Sequence, residues 1–152
     1  MKKILAAAIV ILAIAVGGLA QPDKELVGTW KMDASRSKFV RSSGAPAIVV
    51  LKYERAGNLL RETLSVTNGE AVTTRTIDYA LDGSELANGE GDDRMFSKIV
   101  TKDGLVTLQW KDEGGVFTRT VTFSADHRTM TIAAHDSNPD VEADDVIVLQ
   151  RQ

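Results

Sequence analysis

The sequence predicts an all-β domain, an antiparallel up-and-down β-barrel of eight to ten strands. Three observations predict it. Short β-rich runs recur at 26–32, 47–56, 59–67, 71–81, 94–101, 105–111, 116–123, 130–134 and 146–151. Tight-turn residues separate most of them: Gly57-Asn58, Asn68-Gly69, Asp82-Gly83, Asp103-Gly104, Gly114-Gly115 and Ala125-Asp126-His127. Gly, Asn and Asp tolerate the positive φ that hairpin turns demand. Several runs also alternate with period two, apolar on one face and rich in Thr and charge on the other, as strands do between a core and water. A meander of this size removes its bare edges best by closing on itself. An open two-sheet sandwich is the alternative.

The elements follow in chain order. Lys2 and Lys3 precede an apolar run over 4–16, and Gly17-Gly18-Leu19-Ala20 ends it with small residues. This is the pattern of a secretory signal peptide, residues 1–20, cut before Gln21. The run is short for an uncleaved membrane span. The chain has no Cys, which excludes a lipid-anchored thioether, a disulfide framework and a thiolate metal site. The expectation is one domain over 21–152, periplasmic or secreted, monomeric, with no stable membrane insertion after cleavage. Without the leader the chain carries 16 basic and 21 acidic residues, a net charge of −5. That balance argues against nucleic acid and anionic membrane surfaces as partners.

The first strand contains Gly28-Thr29-Trp30. A Gly weakens a strand unless another group must approach the backbone closely. Asp33 follows, placed to cap a single short turn through Ser37. Further on, parity groups Val49, Leu51 and Tyr53; Leu60, Leu64 and Val66; Ile77 and Tyr79; Val106, Leu108 and Trp110; and Phe117, Val121 and Phe123. No convincing helical period over ten residues appears between Lys24 and Gln152.

"VGTWKMDASRSKF" resembles the opening of small bacterial exported lipocalin-like proteins, with the G-x-W signature of the lipocalins. "IDYALDG", "RTVTFSADHRTMTI" and the terminal "VIVLQRQ" fit in the same order, so the resemblance covers the mature chain. It implies a calycin-type barrel of eight or nine strands, closed at one end, able to hold a small apolar ligand. It also implies that Trp30 plugs the closed end, that Gly28 lets neighbouring groups lie close, and that Arg151 packs over the indole. The 33–38 turn would cover that end with Phe39 beneath it. The later motifs and the disulfide of longer lipocalins are not recognisable, which argues against a deep cavity.

Three charges interrupt apolar faces. Glu62 shares parity with Leu60 and Leu64, Arg75 with Ile77 and Tyr79, and Arg119 with Phe117 and Val121. A lone buried charge costs several kcal/mol, so these groups should be paired or meet a ligand. One reading is a clamp in which Arg75 and Arg119 hold the carboxylate or phosphate head of an amphiphile. The other is a structural Glu–Arg pair, or Arg heads reaching out of the barrel mouth. Tyr53, Tyr79 and Trp110 lie on the same faces and complete the candidate lining. His127 falls in a turn and His135 ends a strand without a third ligand of clear spacing, so no metal or haem site is expected. Asp136-x-Asn138-x-Asp140 begins like a calcium loop, but Val141 and Ile147 stand where Gly and Glu are required. The acidic "GEGDDR" has the wrong charge to cradle phosphate. No nucleophile elbow is present. Catalysis would need Glu62 as a base, and nothing else marks it as one.

The expected function is therefore non-catalytic binding of a small apolar or anionic amphiphilic ligand, with no cofactor. The alternative is an envelope protein-interaction or inhibitor module. The first predicts an interior void, the second a filled barrel with an exposed apolar loop patch.

Overall fold

The computed structural model describes residues 23–40, 48–137 and 144–152. The expected leader, Ala47 at the start of the second predicted strand, and Asn138, Asp140 and Val141 of the acidic loop lie outside the described residues. A four-residue helix, α1 (Asp23–Leu26), precedes ten strands. These are β1 (Gly28–Met32), β2 (Ile48–Ala56), β3 (Leu59–Asn68), β4 (Ala71–Ala80), β5 (Leu86–Asn88), β6 (Met95–Lys102), β7 (Leu105–Asp112), β8 (Gly115–Phe123), β9 (Thr129–Asp136) and β10 (Asp145–Arg151). A single 3₁₀ turn, Gly91–Asp93, links β5 to β6.

All ten strands form one antiparallel sheet in the order β4-β3-β2-β1-β10-β9-β8-β7-β6-β5. Every strand pairs with its chain neighbour except at β4 and β5, and the first strand joins the last through Trp30↔Arg151. The sheet curls until β4 comes beside β5 and β6, giving a nearly closed up-and-down barrel. Period-two patterning explains the burial. Val49, Leu51 and Tyr53 of β2, Val106, Leu108 and Trp110 of β7, and Met130 and Ile132 of β9 all point inward. The short β5 was not foreseen, because three residues carry no period.

One end is plugged. The Trp30 indole is fully buried and donates from Nε1 to the Leu26 carbonyl at 2.8 Å. Phe123 packs beside it, ring centroids 5.8 Å apart. The Arg151 guanidinium lies 4.3 Å from the Trp30 ring centroid. It also donates to the carbonyls of Val27 (3.0 Å), Glu25 (2.7 Å) and His127 (3.1 Å). These bonds tie α1 down over the barrel end. Gly28 has φ of +139°, and a Cβ there would stand 3.0 Å from Arg151 Nη1. A side chain at Gly28 would therefore meet both backbone strain and a crowded guanidinium.

The expected cover of that end is corrected. The 33–38 turn lies on the β1–β10 seam, towards the opposite end. Asp33 N–H bonds to the Val148 carbonyl at 2.8 Å, and Lys38 and Val146 exchange bonds at 2.7 and 2.9 Å. The turn is thus an excursion between two points of one ladder. Asp33 does organise it, accepting from the Ser35 N–H (3.1 Å) and hydroxyl (2.6 Å), but no helical turn forms. The Ser35 hydroxyl holds the Asp33 carboxyl below its ordinary value. Phe39 is half-buried beyond the turn and away from the Trp30 end.

Candidate ligand cavity

At the other end the interior is incompletely filled. A cavity of about 320 Å³ is bounded by Arg75 of β4, Trp110 of β7, Phe117 and Arg119 of β8, Ala134 and His135 of β9, and Asp145 and Ile147 of β10. That is near the lower limit of ligand pockets, which run from about 300 to 1,000 Å³. Trp110 and Phe117 are cross-strand partners and stack with centroids 5.4 Å apart and planes 9° from parallel. Arg119 and Arg75 lie 4.4 and 5.4 Å from the Trp110 ring centroid.

Beneath this cavity sits a buried polar network. Glu62 is fully buried, and its Oε1 accepts from Arg119 Nη1 at 2.7 Å. Its Oε2 accepts from the Tyr53 hydroxyl at 2.9 Å. Burial works against the Arg119 charge, but the Glu62 carboxylate beside it more than offsets this and raises its pKa. Burial first, and then the Glu62 charge, push both the Tyr53 and Tyr79 hydroxyls well above their ordinary value. The charged pair joins β3 to β8 across the barrel. It fills the space in which a deeper cavity would lie.

The structure divides the six candidate ligand-binding residues into two groups. Arg75, Arg119 and Trp110 line the cavity. Glu62, Tyr53 and Tyr79 lie in the core below it, where Glu62 and Tyr53 fix Arg119 in place. Arg119 is 11% exposed and engaged by Glu62, whereas Arg75 has no ion pair among the described residues. Arg75 Nη2 donates instead to the Met95 sulfur at 3.2 Å, a weak acceptor. Two buried donors have no hydrogen-bond partner among the described residues: the Tyr79 hydroxyl and Trp110 Nε1–H. The cavity therefore sets two guanidiniums, Arg75 and Arg119, beside an apolar wall of Trp110, Phe117, Ala134 and Ile147, with His135 and Asp145 also on its lining, a chemistry that can hold an anion on an apolar body.

His127 stands in its turn with φ of +54°, exposed and 3.6 Å from Glu25. His135 reaches Asp144 at 2.7 Å on the cavity rim. Among the described residues no group of three His, Asp or Glu side chains is placed to hold a metal ion. Sequence reasoning missed Met95 and Ser97. Ser97 shares parity with Ile99 and is fully buried, and a hydroxyl on an apolar face was the available signal.

No protein-family model matches the chain. No curated protein matches it. Solved structures do share its fold. Fatty-acid-binding protein 1 of Echinococcus granulosus is 14% identical, with a TM-score of 0.60 over 84% of this chain and 98% of that one. The Schistosoma mansoni fatty-acid-binding protein in complex with arachidonic acid is 12% identical, with a TM-score of 0.59 over 86% and 98%. A secretory abundant heat soluble protein from Ramazzottius varieornatus is 8% identical, with a TM-score of 0.62 over 84% and 96%. At these identities the likeness is one of fold.

Proposed function

We propose that the protein is an exported, non-catalytic binder of a small apolar or amphiphilic molecule, held in the cavity above the Glu62–Arg119 pair. The observation that carries the reading is the lining itself. Trp110, Phe117, Ala134 and Ile147 offer an apolar wall, and Arg75 stands over it without an ion pair among the described residues. A fold shared with a protein that holds arachidonic acid supports this reading. The filled core below the cavity favours a ligand smaller than the barrel. Arg75 is the group proposed to meet its polar end, with Arg119 held by Glu62 as a fixed positive floor.

Native mass spectrometry of protein purified from its own host tests the reading. The expected result is a retained small molecule, released on denaturation, with the chain beginning at Gln21. An apo spectrum with no retained mass, together with an interior that takes up no probe, would leave the envelope-interaction reading in its place. An intact Met1 in membrane fractions would overturn export.

A further inference from the structure

We propose that Met95 is an oxidation site that acts on the cavity through Arg75, so that a methionine sulfoxide at this position weakens the hold on an anionic ligand. The effect on binding rests on the interior-binding reading above. The chain has four methionines. Met1 lies outside the described residues, Met130 is fully buried and Met32 is 8% exposed. Met95 is half-buried and walls a cleft of about 490 Å³ together with Arg75 and Arg94. Asp92, Asp93 and Glu113 rim that cleft. Their charge repels an anionic oxidant, and a neutral peroxide passes them.

One contact joins Met95 to the ligand site. Arg75 Nη2 donates to its sulfur at 3.2 Å. Arg75 lines both the cleft and the interior cavity, whereas Met95 walls the cleft and not that cavity. As a thioether the sulfur is a weak acceptor, and an anion in the cavity displaces it readily. Oxidation changes that balance. A sulfur lone pair attacks one oxygen of hydrogen peroxide, the S–O bond forms as the O–O bond breaks, and the other oxygen leaves as water with both protons. Sulfur is oxidised and the peroxide is reduced. The product is a polar sulfoxide, with a strong acceptor oxygen on the atom that Arg75 already contacts. An anionic ligand must then take the guanidinium from a strong partner instead of a weak one. A neutral ligand makes no such demand on Arg75. Enzymatic reduction of the sulfoxide returns the thioether and restores the site.

The test is limited oxidation with hydrogen peroxide, followed by peptide mass mapping and by calorimetric titration with octanoic acid and its methyl ester. Met95 should gain an oxygen before Met32 and Met130 do. Giving up a hydrogen bond costs an equilibrium about fivefold, so the oxidised protein should bind the acid about fivefold more weakly and the ester as before. Met95→Leu keeps the apolar volume, so it should bind the acid within about twofold of wild type and not respond to peroxide. Met95→Gln carries a strong amide acceptor without oxidation and should bind the acid weakly from the start. Oxidation of Met32 or Met130 ahead of Met95 overturns the site. Unchanged affinity for the acid once Met95 is converted overturns its action on Arg75, and so does an equal loss in peroxide-treated Met95→Leu. Unoxidised wild-type protein that binds neither compound overturns the interior-binding reading and the control of binding with it, while the order of oxidation still decides the site.

Discussion

Glu62 on β3 and Arg119 on β8 meet across the barrel at 2.7 Å, both removed from water. The pair sets the floor of the cavity. Removing one partner of a buried pair leaves an uncompensated charge, a cost of about 3 to 5 kcal/mol. Arg119→Met should lower stability to urea by that amount. Glu62→Gln combined with Arg119→Met should recover most of the loss, because neither charge is then stranded. A double variant as unstable as Arg119→Met alone would show that the pair is not the source of the effect.

Trp30→Ala should cost about 3 to 5 kcal/mol, as large aromatic truncations in cores do. Arg151→Ala should cost less and shift the Trp30 emission, since the guanidinium leaves the indole face. Gly28→Ala should cost about 1 to 3 kcal/mol through its positive φ. Chemical denaturation followed by fluorescence reads all three. Unchanged melting of Trp30→Ala would contradict the plugged end.

The chain has two tyrosines, Tyr53 and Tyr79, and both are buried. Burial and the Glu62 charge hold both hydroxyls protonated well above the ordinary tyrosine value. The folded state thus binds these protons more tightly than the unfolded chain. The stability they contribute is complete below the unfolded value of about 10, and is lost as pH rises towards the higher folded values. Absorbance near 295 nm, roughly the tyrosinate band, should stay flat through pH of about 10 to 11 and rise only with unfolding. A reversible rise in the folded protein near the ordinary value would contradict the buried network.

Much of the fold was legible because strand patterning and turn chemistry are local. Leu51 and Tyr53, or Leu108 and Trp110, declare a face by parity alone. Parity placed Glu62, Arg75 and Arg119 on inward faces, but it could not say which strands oppose each other across a closed barrel. That distance relation decides that Arg119 meets Glu62 while Arg75 meets Met95. The 33–38 turn was assigned to the wrong end because its place depends on the pairing of Lys38 with Val146, far along the chain. Helix α1 escaped notice because four residues carry no period, and the carbonyls of Glu25 and Val27 are held by Arg151 from the last strand. The Asn88 amide bonds the Asp78 N–H and carbonyl where β4 and β5 share no ladder, yet it reads in sequence as an ordinary turn residue before Gly89.

The central claim is that the cavity above Glu62–Arg119 takes a small amphiphile whose polar end meets Arg75. The direct measurement is titration of wild type and Arg75→Leu with a short-chain fatty acid and with its methyl ester, followed through the fluorescence of Trp110. A charge-assisted hydrogen bond is worth about 1.5 to 3 kcal/mol. The account predicts saturable one-to-one binding of the acid that weakens at least about tenfold in Arg75→Leu, and ester binding that does not change. Equal affinity of both proteins for the acid would remove Arg75 from the site. Failure of the wild-type protein to bind either compound would contradict the cavity as a binding site.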